Sequence, residues 1–238
     1  MQHNFLVYSL WIIFSTAIVL APLTLSNDNR KNFVKQNFAL AAATPQFQQT
    51  ITAGTLLTDI RDNSRVTVAS PTVAMSAINA SFGCASTTGT FGSSTQRIYV
   101  DNPSAANNGW TLSLAATGGV TSLWTSASST FDFNDPTTSG CADGGDADTK
   151  IGDMTLNPTV GTITADYTTG SSIVGISKGA QASFNEGTVN SITIMSAANT
   201  ASSTWRGYMT GIGVVQTIPA EQQAQAYTLG MTLTVVAN

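Results

Sequence analysis

The sequence predicts an all-β fold, an antiparallel β-sandwich of Greek-key or jelly-roll type that follows an N-terminal hydrophobic leader. Three observations support this prediction: apolar residues alternate with Thr, Ser and Gly in short segments, turn signals separate those segments, and no amphipathic helical pattern follows residue 43. Short alternating strands bounded by turns are typical of antiparallel sandwiches and barrels. A hydrophobic content of 42% argues against disorder.

The leader occupies residues 1–43. Residues 5–25 are almost continuously apolar, and a membrane-spanning helix needs ~20 apolar residues. Ala41 and Ala43 form a candidate signal-peptidase site that would leave Thr44 at the mature N-terminus. Two interpretations stay open, a cleaved signal peptide and an uncleaved membrane anchor. Either one exports the remainder, so we expect a secreted, cell-wall-associated protein that meets the membrane only through an uncleaved leader.

Residues 44–238 are predicted to form a single sandwich domain, because such domains can reach ~200 residues. This part of the chain carries six basic and twelve acidic residues, a net charge of −6, and the basic residues are scattered. Phosphate binding needs a clustered basic surface. Nucleic acid is therefore excluded as an expected partner.

The chain has two cysteines, Cys84 and Cys141. An even cysteine count in an exported protein predicts a disulfide, here between residues on either side of several predicted strands. The alternative is a pair of buried free thiols.

The first half of the domain contains three alternating segments. Apolar residues from Val66 to Ala77 alternate across Pro71, which predicts a strand that is bent or broken at the proline. Residues 96–101 end in an Asn-Pro turn signal, and residues 110–115 begin after Asn-Asn-Gly. We expect strands in both.

In the second half, strands are predicted at Ile163 and at residues 173–176, 191–195 and 208–217. The last predicted strand has the clearest alternation. One of its faces carries Tyr227, Leu229, Met231, Leu233 and Val235, and the other carries Thr and Gly.

Residues 132–152 form the longest stretch without an apolar pattern and are predicted to be a loop fixed at Cys141. Calcium takes six to eight oxygen ligands, and this loop offers a candidate calcium site. Its primary ligands would be Asp143, Asp146 and Asp148, with Asn134 or Asp135 completing the shell. The alternative is that these aspartates only form turns. No other cofactor is indicated.

Catalytic motifs are missing from the sequence of the domain. The single histidine, His3, lies in the leader, so the domain lacks the usual general base and the commonest metal ligand. It also lacks a Ser-His-Asp or Cys-His set, a phosphate-binding glycine loop and a CxxC motif. Paired carboxylates of the glycosidase type remain open, but aspartates in a Gly-rich loop more often form turns. We therefore expect a protein that is not an enzyme.

Two short motifs carry a resemblance to a known family. Residues 99–114 read YVDNPSAANNGWTLSL, so that a strand ends in Asp101, a turn follows, and Gly-Trp-x-Leu with Trp110 and Leu112 opens the next strand. Near the C-terminus, Ile218-Pro-Ala is followed by Tyr227 and by the strand with Met231 and Leu233.

These segments resemble the proximal and distal motifs of WxL-domain surface proteins of Gram-positive bacteria. Leu233 stands where that family has its second Trp. The resemblance implies a β-sandwich that is exported to the cell surface and held there non-covalently on peptidoglycan or on a partner surface protein.

We therefore expect an exported structural or adhesion module that binds a cell-wall polymer or another surface protein. The alternative is a self-assembling subunit of an extracellular filament or surface layer, in which Phe47 to Leu57 add as a strand to the open sheet edge of a second copy. A secreted protein that binds or hydrolyses glycans is the third interpretation. In each case Trp110 and Tyr227 are expected to serve packing more than recognition.

Overall fold

A computed structural model describes residues 48–106, 108–144, 148–167, 172–199 and 204–238. The predicted leader, its cleavage site at Ala43 and the domain start at Thr44 lie outside these residues. Thr50–Asn238 form one compact unit. Within the described ranges, no helix has both the length and the apolar character needed to cross a membrane.

The described residues contain fifteen strands and two short 3-10 helices, the latter at Thr137–Ser139 and Pro158–Val160. The strands, numbered in chain order, are β1 Leu57–Arg61, β2 Ala85–Phe91, β3 Arg97–Asn102, β4 Trp110–Ala116, β5 Trp124–Thr125, β6 Thr130–Phe131, β7 Asn134–Asp135, β8 Gly152–Asn157, β9 Thr162–Ala165, β10 Ile176–Lys178, β11 Ala182–Ser183, β12 Ser191–Ala197, β13 Trp205–Thr210, β14 Ile212–Ile218 and β15 Met231–Ala237.

The strands form antiparallel sheets, which confirms the all-β prediction and is consistent with a sandwich. Sheet I has the order β1-β3-β13-β9, sheet II the order β10-β12-β4-β15, and sheet III the order β11-β8-β14-β2 with β7 paired to β8. The short strands β5 and β6 form a separate hairpin. Most neighbouring strands are distant in sequence, so the fold depends on long-range pairing.

Alternating side chains build the core. In β4, Trp110, Leu112 and Leu114 are buried, while the residues between them are partly exposed. Trp110 of sheet II packs on Trp205 of sheet I, with ring centroids 5.4 Å apart. Burial of a large apolar side chain stabilises a fold by about 1.5–3 kcal/mol. The strand predicted at residues 110–115 is confirmed.

The strand predicted at residues 208–217 is instead two strands in different sheets. β13 pairs in sheet I and β14 in sheet III, with Gly211 between them. Gly211 has a φ of 79°, a left-handed conformation that residues with a Cβ rarely adopt. The glycine therefore lets the chain pass from one sheet to the next without a loop.

The prediction of a bent strand from Val66 to Ala77 is wrong. The segment is irregular, with isolated bridges from Thr67 to Arg61 and from Met75 to Gly89. The Ser76 N–H donates to the Thr88 C=O at 2.7 Å. Pro71 has no N–H with which to continue a ladder, so the segment lies against β2 at a few points only and covers its edge.

Candidate functional site

The two motifs that resemble the WxL pattern form neighbouring strands. β4 contains Trp110 and Leu112, and β15 contains Met231 and Leu233. The strands pair antiparallel along their whole length, with Leu233 opposite Leu114. Segments more than one hundred positions apart in the sequence are therefore joined into one half of sheet II.

β15 is the last strand of sheet II, and one side of its backbone faces away from β4. The Thr117 N–H donates to the Gly230 C=O at 2.9 Å, and the Asn238 N–H donates to the Gly109 C=O at 3.3 Å. The register between these two points is continuous, and hydrogen-bonded residues alternate along an antiparallel strand. The even-numbered residues of β15 therefore bond to β4.

The odd-numbered residues Met231, Leu233 and Val235 direct their N–H and C=O groups to the other side of β15. We call this side the open edge. Their side chains are half-buried and pack against the core, while Thr232 and Thr234 lie on the exposed face. A row of outward N–H and C=O groups is a template for pairing with another strand.

Three other edge strands, β2, β1 and β10, differ from the open edge. β2 is lined by the segment around Met75, as described above. β1 carries Asp59 and Arg61, and β10 is three residues long and ends in Lys178. Short length, charge and a covering segment are the usual protection of sheet edges. β15 has seven residues, none of them charged and none proline.

An apolar groove runs beside the open edge and has a volume of about 660 Å³. The groove is lined by β15 and the residues before it, by the segment that covers β2, and by Thr58, Asp59 and Ile60 of β1. Its apolar lining includes Val73, Met75, Phe91, Leu114, Met154, Leu156, Val214, Leu229, Met231 and Leu233. The interior of the sandwich is thus accessible beside the open edge.

Aromatic side chains line part of the same groove. Trp124 stacks on Phe131 with centroids 5.9 Å apart, and Tyr227 packs edge-on against Phe131 at 5.0 Å. The Trp124 indole N–H donates to Gln216 Oε1 at 2.8 Å. Tyr227 is only half-buried. It packs against Phe131 of the β5–β6 hairpin.

A second, polar cavity of about 290 Å³ adjoins the acidic loop. Asn134, Asp135, Gly144 and Glu186 help to line it. The carboxylate of Asp135 accepts hydrogen bonds from the N–H groups of Thr137 (3.0 Å) and Gly144 (2.6 Å). Backbone donors therefore already hold the loop around this carboxylate.

The predicted calcium ligands are only partly brought together. Asn134 and Asp135 are buried at the polar cavity, whereas Asp143 is exposed and Asp148 is exposed with Oδ1 accepting from the Lys150 N–H at 2.7 Å. Asp146 lies outside the described residues. Among the residues that are described, no group of three acidic side chains could hold a metal. Calcium binding stays a prediction.

Asp153, which directly follows the predicted loop, is buried opposite Asn134 in the β7–β8 pair. Burial raises the pKa of the Asp153 carboxyl, and the nearby Asp135 raises that pKa further. Asp153 Oδ2 accepts from the Ser183 hydroxyl at 3.2 Å, but among the described residues Asp153 Oδ1 and Asn134 Oδ1 are buried without a hydrogen-bond partner. Protonation would give Asp153 a hydrogen-bond donor in place of a buried unpaired acceptor.

Cys84 and Cys141 form a disulfide, as predicted. Cys84 immediately precedes β2, and Cys141 follows the 3-10 helix after β7. The bond ties the start of β2 to the acidic loop and closes a separation of 57 positions.

The basic residues of sheet I are largely occupied by ion pairs within the sheet and its loops. Asp101 is held between Arg61 and Arg206, each at 2.8 Å. Arg65 pairs with Asp166 at 2.7 Å, and the Tyr99 hydroxyl donates to the same carboxylate at 2.6 Å. This face is therefore internally paired and is a weaker candidate for recognition than the open edge.

Comparison of the chain with protein-family models, with curated proteins and with solved structures finds no match. The open edge was missed as a site by sequence reasoning, although one signal was present. From Tyr208 to Asn238 only Glu221 is charged, and an uncharged, strongly alternating terminal strand is the kind of edge that proteins normally protect.

Proposed function

We propose that this chain is an exported, non-catalytic module of the cell surface that attaches to its partner by accepting an extended polypeptide segment at β15. The observation that carries the proposal is the open edge of β15 beside the largely apolar groove. In strand addition, main-chain hydrogen bonds supply affinity, and pockets for alternate side chains supply specificity. β15 offers main-chain hydrogen bonds through Met231, Leu233 and Val235, and the groove offers pockets for alternate side chains.

The site defines the chemistry of the partner. An incoming strand would place every second side chain in the groove, so these residues should be apolar. The alternate side chains would continue the exposed face that carries Thr232 and Thr234, so these should be small and polar. Charge is disfavoured next to an uncharged strand, because a buried unpaired charge is costly.

The resemblance to WxL-domain proteins supports a surface location for this activity. The strand with the open edge is the one that resembles the family's distal motif. Trp110 of the proximal motif is 1% exposed, which favours a packing role and leaves recognition to β15. An apolar groove suits a polypeptide better than a cell-wall glycan, whose hydroxyls each need a hydrogen-bonding partner when buried.

The proposal is tested by following the chain and two variants in cells. Leu233→Pro removes the outward N–H of the open edge and the leucine side chain, whereas Leu233→Ala removes most of the side chain and keeps the N–H. We expect the parent chain and Leu233→Ala in the cell-surface fraction and Leu233→Pro in the medium. Mass spectrometry of the retained protein should find an N-terminus near Thr44.

Equal retention of Leu233→Pro and the parent chain would show that the open edge is not the point of attachment. Hydrogen exchange provides a measurement that does not depend on the variants. The amides of Met231, Leu233 and Val235 should exchange slowly in the surface-bound protein and at least tenfold faster in the isolated, folded chain. Rapid exchange in both states would contradict the proposal, and release of the parent by enzymatic digestion of the wall glycan alone would assign the attachment to glycan.

A further inference from the structure

We infer that the outer face of sheet I carries a second binding site, in which Arg97 binds the single anionic group of an acidic sugar, a uronate or a sugar phosphate. This site is separate from the open edge of β15 and uses none of its residues. The observation that carries the inference is an arginine that the sheet leaves without an acidic partner, beside a row of threonine hydroxyls.

The fold gathers most of the basic residues of the domain on one face. Four of the six basic residues in residues 44–238 lie on sheet I or in the loop after β1, namely Arg61, Arg65, Arg97 and Arg206. Arg61 of β1 lies directly opposite Arg97 of β3, and opposed residues of an antiparallel pair point to the same side of the sheet. Residues that are scattered in the sequence therefore form a local concentration of positive charge.

The aspartates of this face are bonded to the other three arginines. The ion pairs are Asp101 with Arg61 and Arg206, Asp166 with Arg65, and Asp59 with Arg61. Within the described ranges, no carboxylate lies at ion-pair distance from Arg97. The pKa of Asp166 is lowered chiefly by the hydrogen bond from Arg65, and Arg97 is the smallest of the contributors. Four guanidinium groups thus share three carboxylates, and Arg97 is the one left over.

Aromatic rings hold the Arg97 guanidinium in place. Its Cζ lies 4.6 Å from the centre of the Tyr208 ring, and Tyr208 packs on Tyr99 with ring centroids 5.2 Å apart. Burial raises the pKa of the Tyr99 hydroxyl, while a hydrogen bond from Arg97 acts in the opposite direction. A guanidinium that is already fixed on a ring loses less conformational freedom when it binds an anion.

Arg97 also has hydrogen-bonding capacity that the fold does not use. Its side chain is half-buried, and in the part of the chain that is described its Nε is buried without a hydrogen-bond partner. Buried polar groups are rarely left unpaired in proteins, and a bound ion is one of the usual reasons for an exception. The guanidinium donors form a planar fork that matches carboxylate and phosphate oxygens. An oxyanion is therefore the ligand class that Arg97 fits.

Threonine hydroxyls extend the site beyond the anionic group. Thr164 of β9 lies opposite Tyr208, and Thr162 lies opposite Thr210. Alternate residues of a strand share a face, so these threonines lie on the same side of sheet I as Tyr208, and all three are at least partly exposed. Because a hydroxyl both donates and accepts hydrogen bonds, this row suits the hydroxyls of a sugar ring whose charge is bound by Arg97.

The charge balance of the face restricts the ligand to one anionic group. Asp59, Asp101 and Asp166 lie around the arginines, and a second anion nearby would be repelled by these carboxylates. A polyanion such as nucleic acid is therefore disfavoured on this face. A sugar with one carboxylate or one phosphate group meets the requirement.

NMR titration of the exported chain at constant ionic strength tests the site. The probes are galacturonate and glucose 1-phosphate as acidic sugars, galactose as the neutral sugar, and acetate and inorganic phosphate as bare anions. We expect saturable shifts of the Arg97 Nε–H and of the Tyr208 backbone amide with both acidic sugars and none with galactose. The bare anions should shift the same signals at higher concentrations, because they cannot reach the threonines.

Variants assign the binding to Arg97. Arg97→Gln should raise the dissociation constant for galacturonate at least about tenfold, because hydrogen bonds to charged groups are the strong ones. Arg97→Lys keeps the charge but loses the planar fork, so its dissociation constant should lie between those of the parent and Arg97→Gln. The matched control is Lys178→Gln, which makes the same change of charge at an exposed lysine and should bind as the parent does.

The outcomes separate this site from the proposed function. Equal affinities for acidic sugars and bare anions would contradict the sugar assignment, and unchanged binding by folded Arg97→Gln would remove Arg97 from the site. If Arg97→Gln does not fold, the absence of an Arg97 shift in the parent titration overturns the inference by itself. Leu233→Pro should bind galacturonate as the parent does, so failure at Arg97 and failure at the open edge are recognised independently.

Discussion

Leu233 lies opposite Leu114 in a pair that exchanges no hydrogen bonds, whereas the next residue, Thr234, lies opposite Ser113 in a hydrogen-bonded pair. The two neighbours in β15 therefore use their N–H groups on opposite sides of the strand. The proposal that β15 accepts a further strand depends on these outward N–H groups of the odd-numbered residues.

Proline substitution tests the difference in the isolated chain. Thr234→Pro removes a ladder donor and leaves the Ser113 acceptor unpaired, so it should lower the free energy of unfolding by about 1–3 kcal/mol more than Thr234→Ala. Leu233→Pro should differ from Leu233→Ala by less than about 1 kcal/mol, because no ladder bond is lost. Urea unfolding of the four variants measures both differences in the free energy of unfolding. A larger proline effect at Leu233 than at Thr234 would place the open edge on the even-numbered residues.

Replacement of Trp110 tests the central packing of the sandwich. Trp110→Ala removes a fully buried side chain that packs on Trp205, and we expect a loss of ~3–5 kcal/mol in the free energy of unfolding. The control is Thr111→Ala, which changes a partly exposed neighbour and should stay within about 0.5 kcal/mol. A Trp110→Ala variant as stable as the parent but unable to attach to cells would make Trp110 a recognition residue.

Loss of the disulfide should weaken the fold without abolishing it. Replacing Cys84 and Cys141 by serine should cost roughly 2–5 kcal/mol and lower the melting temperature, while the extensive core keeps the transition cooperative. Calorimetry of the variant and the parent measures the shift. Two reactive thiols in the denatured, unreduced parent would show that the bond does not form.

Asp153 should make stability depend on pH. Its pKa is raised by burial, so ionised Asp153 destabilises the fold at neutral pH. As pH falls through the raised pKa towards the ordinary value, the folded chain binds the proton before the unfolded chain, and the penalty disappears. Asp153→Asn should therefore melt higher than the parent at pH 7, by a margin that shrinks towards pH 4.

The control for that series is Asp143→Asn, which changes an exposed aspartate of the same loop and should leave the pH dependence of the parent. A constant difference between Asp153→Asn and the parent from pH 4 to pH 7 would show that Asp153 titrates as it does in the unfolded chain.

The sequence predicts β4, β12 and β15 of sheet II, because each alternates apolar and polar residues with one face in the core. It misplaces β10, since the strand predicted at residues 173–176 is observed at Ile176–Lys178. It fails for β2, whose residues Ala85–Phe91 are mostly Thr, Ser and Gly. That strand is held by seven cross-strand pairs with β14, and hydrogen bonding to a distant partner leaves no local pattern.

Features of the candidate sites that depend on long-range strand pairing could likewise not be predicted from the sequence. The disulfide and the buried Trp110 could be predicted from residue type and local alternation. The burial of Asp132 and Asp135 could not, because the chain around them pairs with β8 and with the chain near Phe184, and neither partner can be recognised from the local sequence. The open edge could be recognised only from the sheet order, which places β15 at the end of sheet II within the described part of the chain.

The Cys84–Cys141 bond also has a mechanical consequence. A chain pulled at its two ends can lengthen only by the residues outside the covalent loop, because tension passes directly through the sulfur atoms. The 57 positions between the cysteines would otherwise contribute about 190 Å of extended chain. β3 and β4, which lie inside the loop, are therefore never drawn out by force while the bond is intact. A stretched molecule retains the Trp110 strand in a form that can recover the core when the load is released.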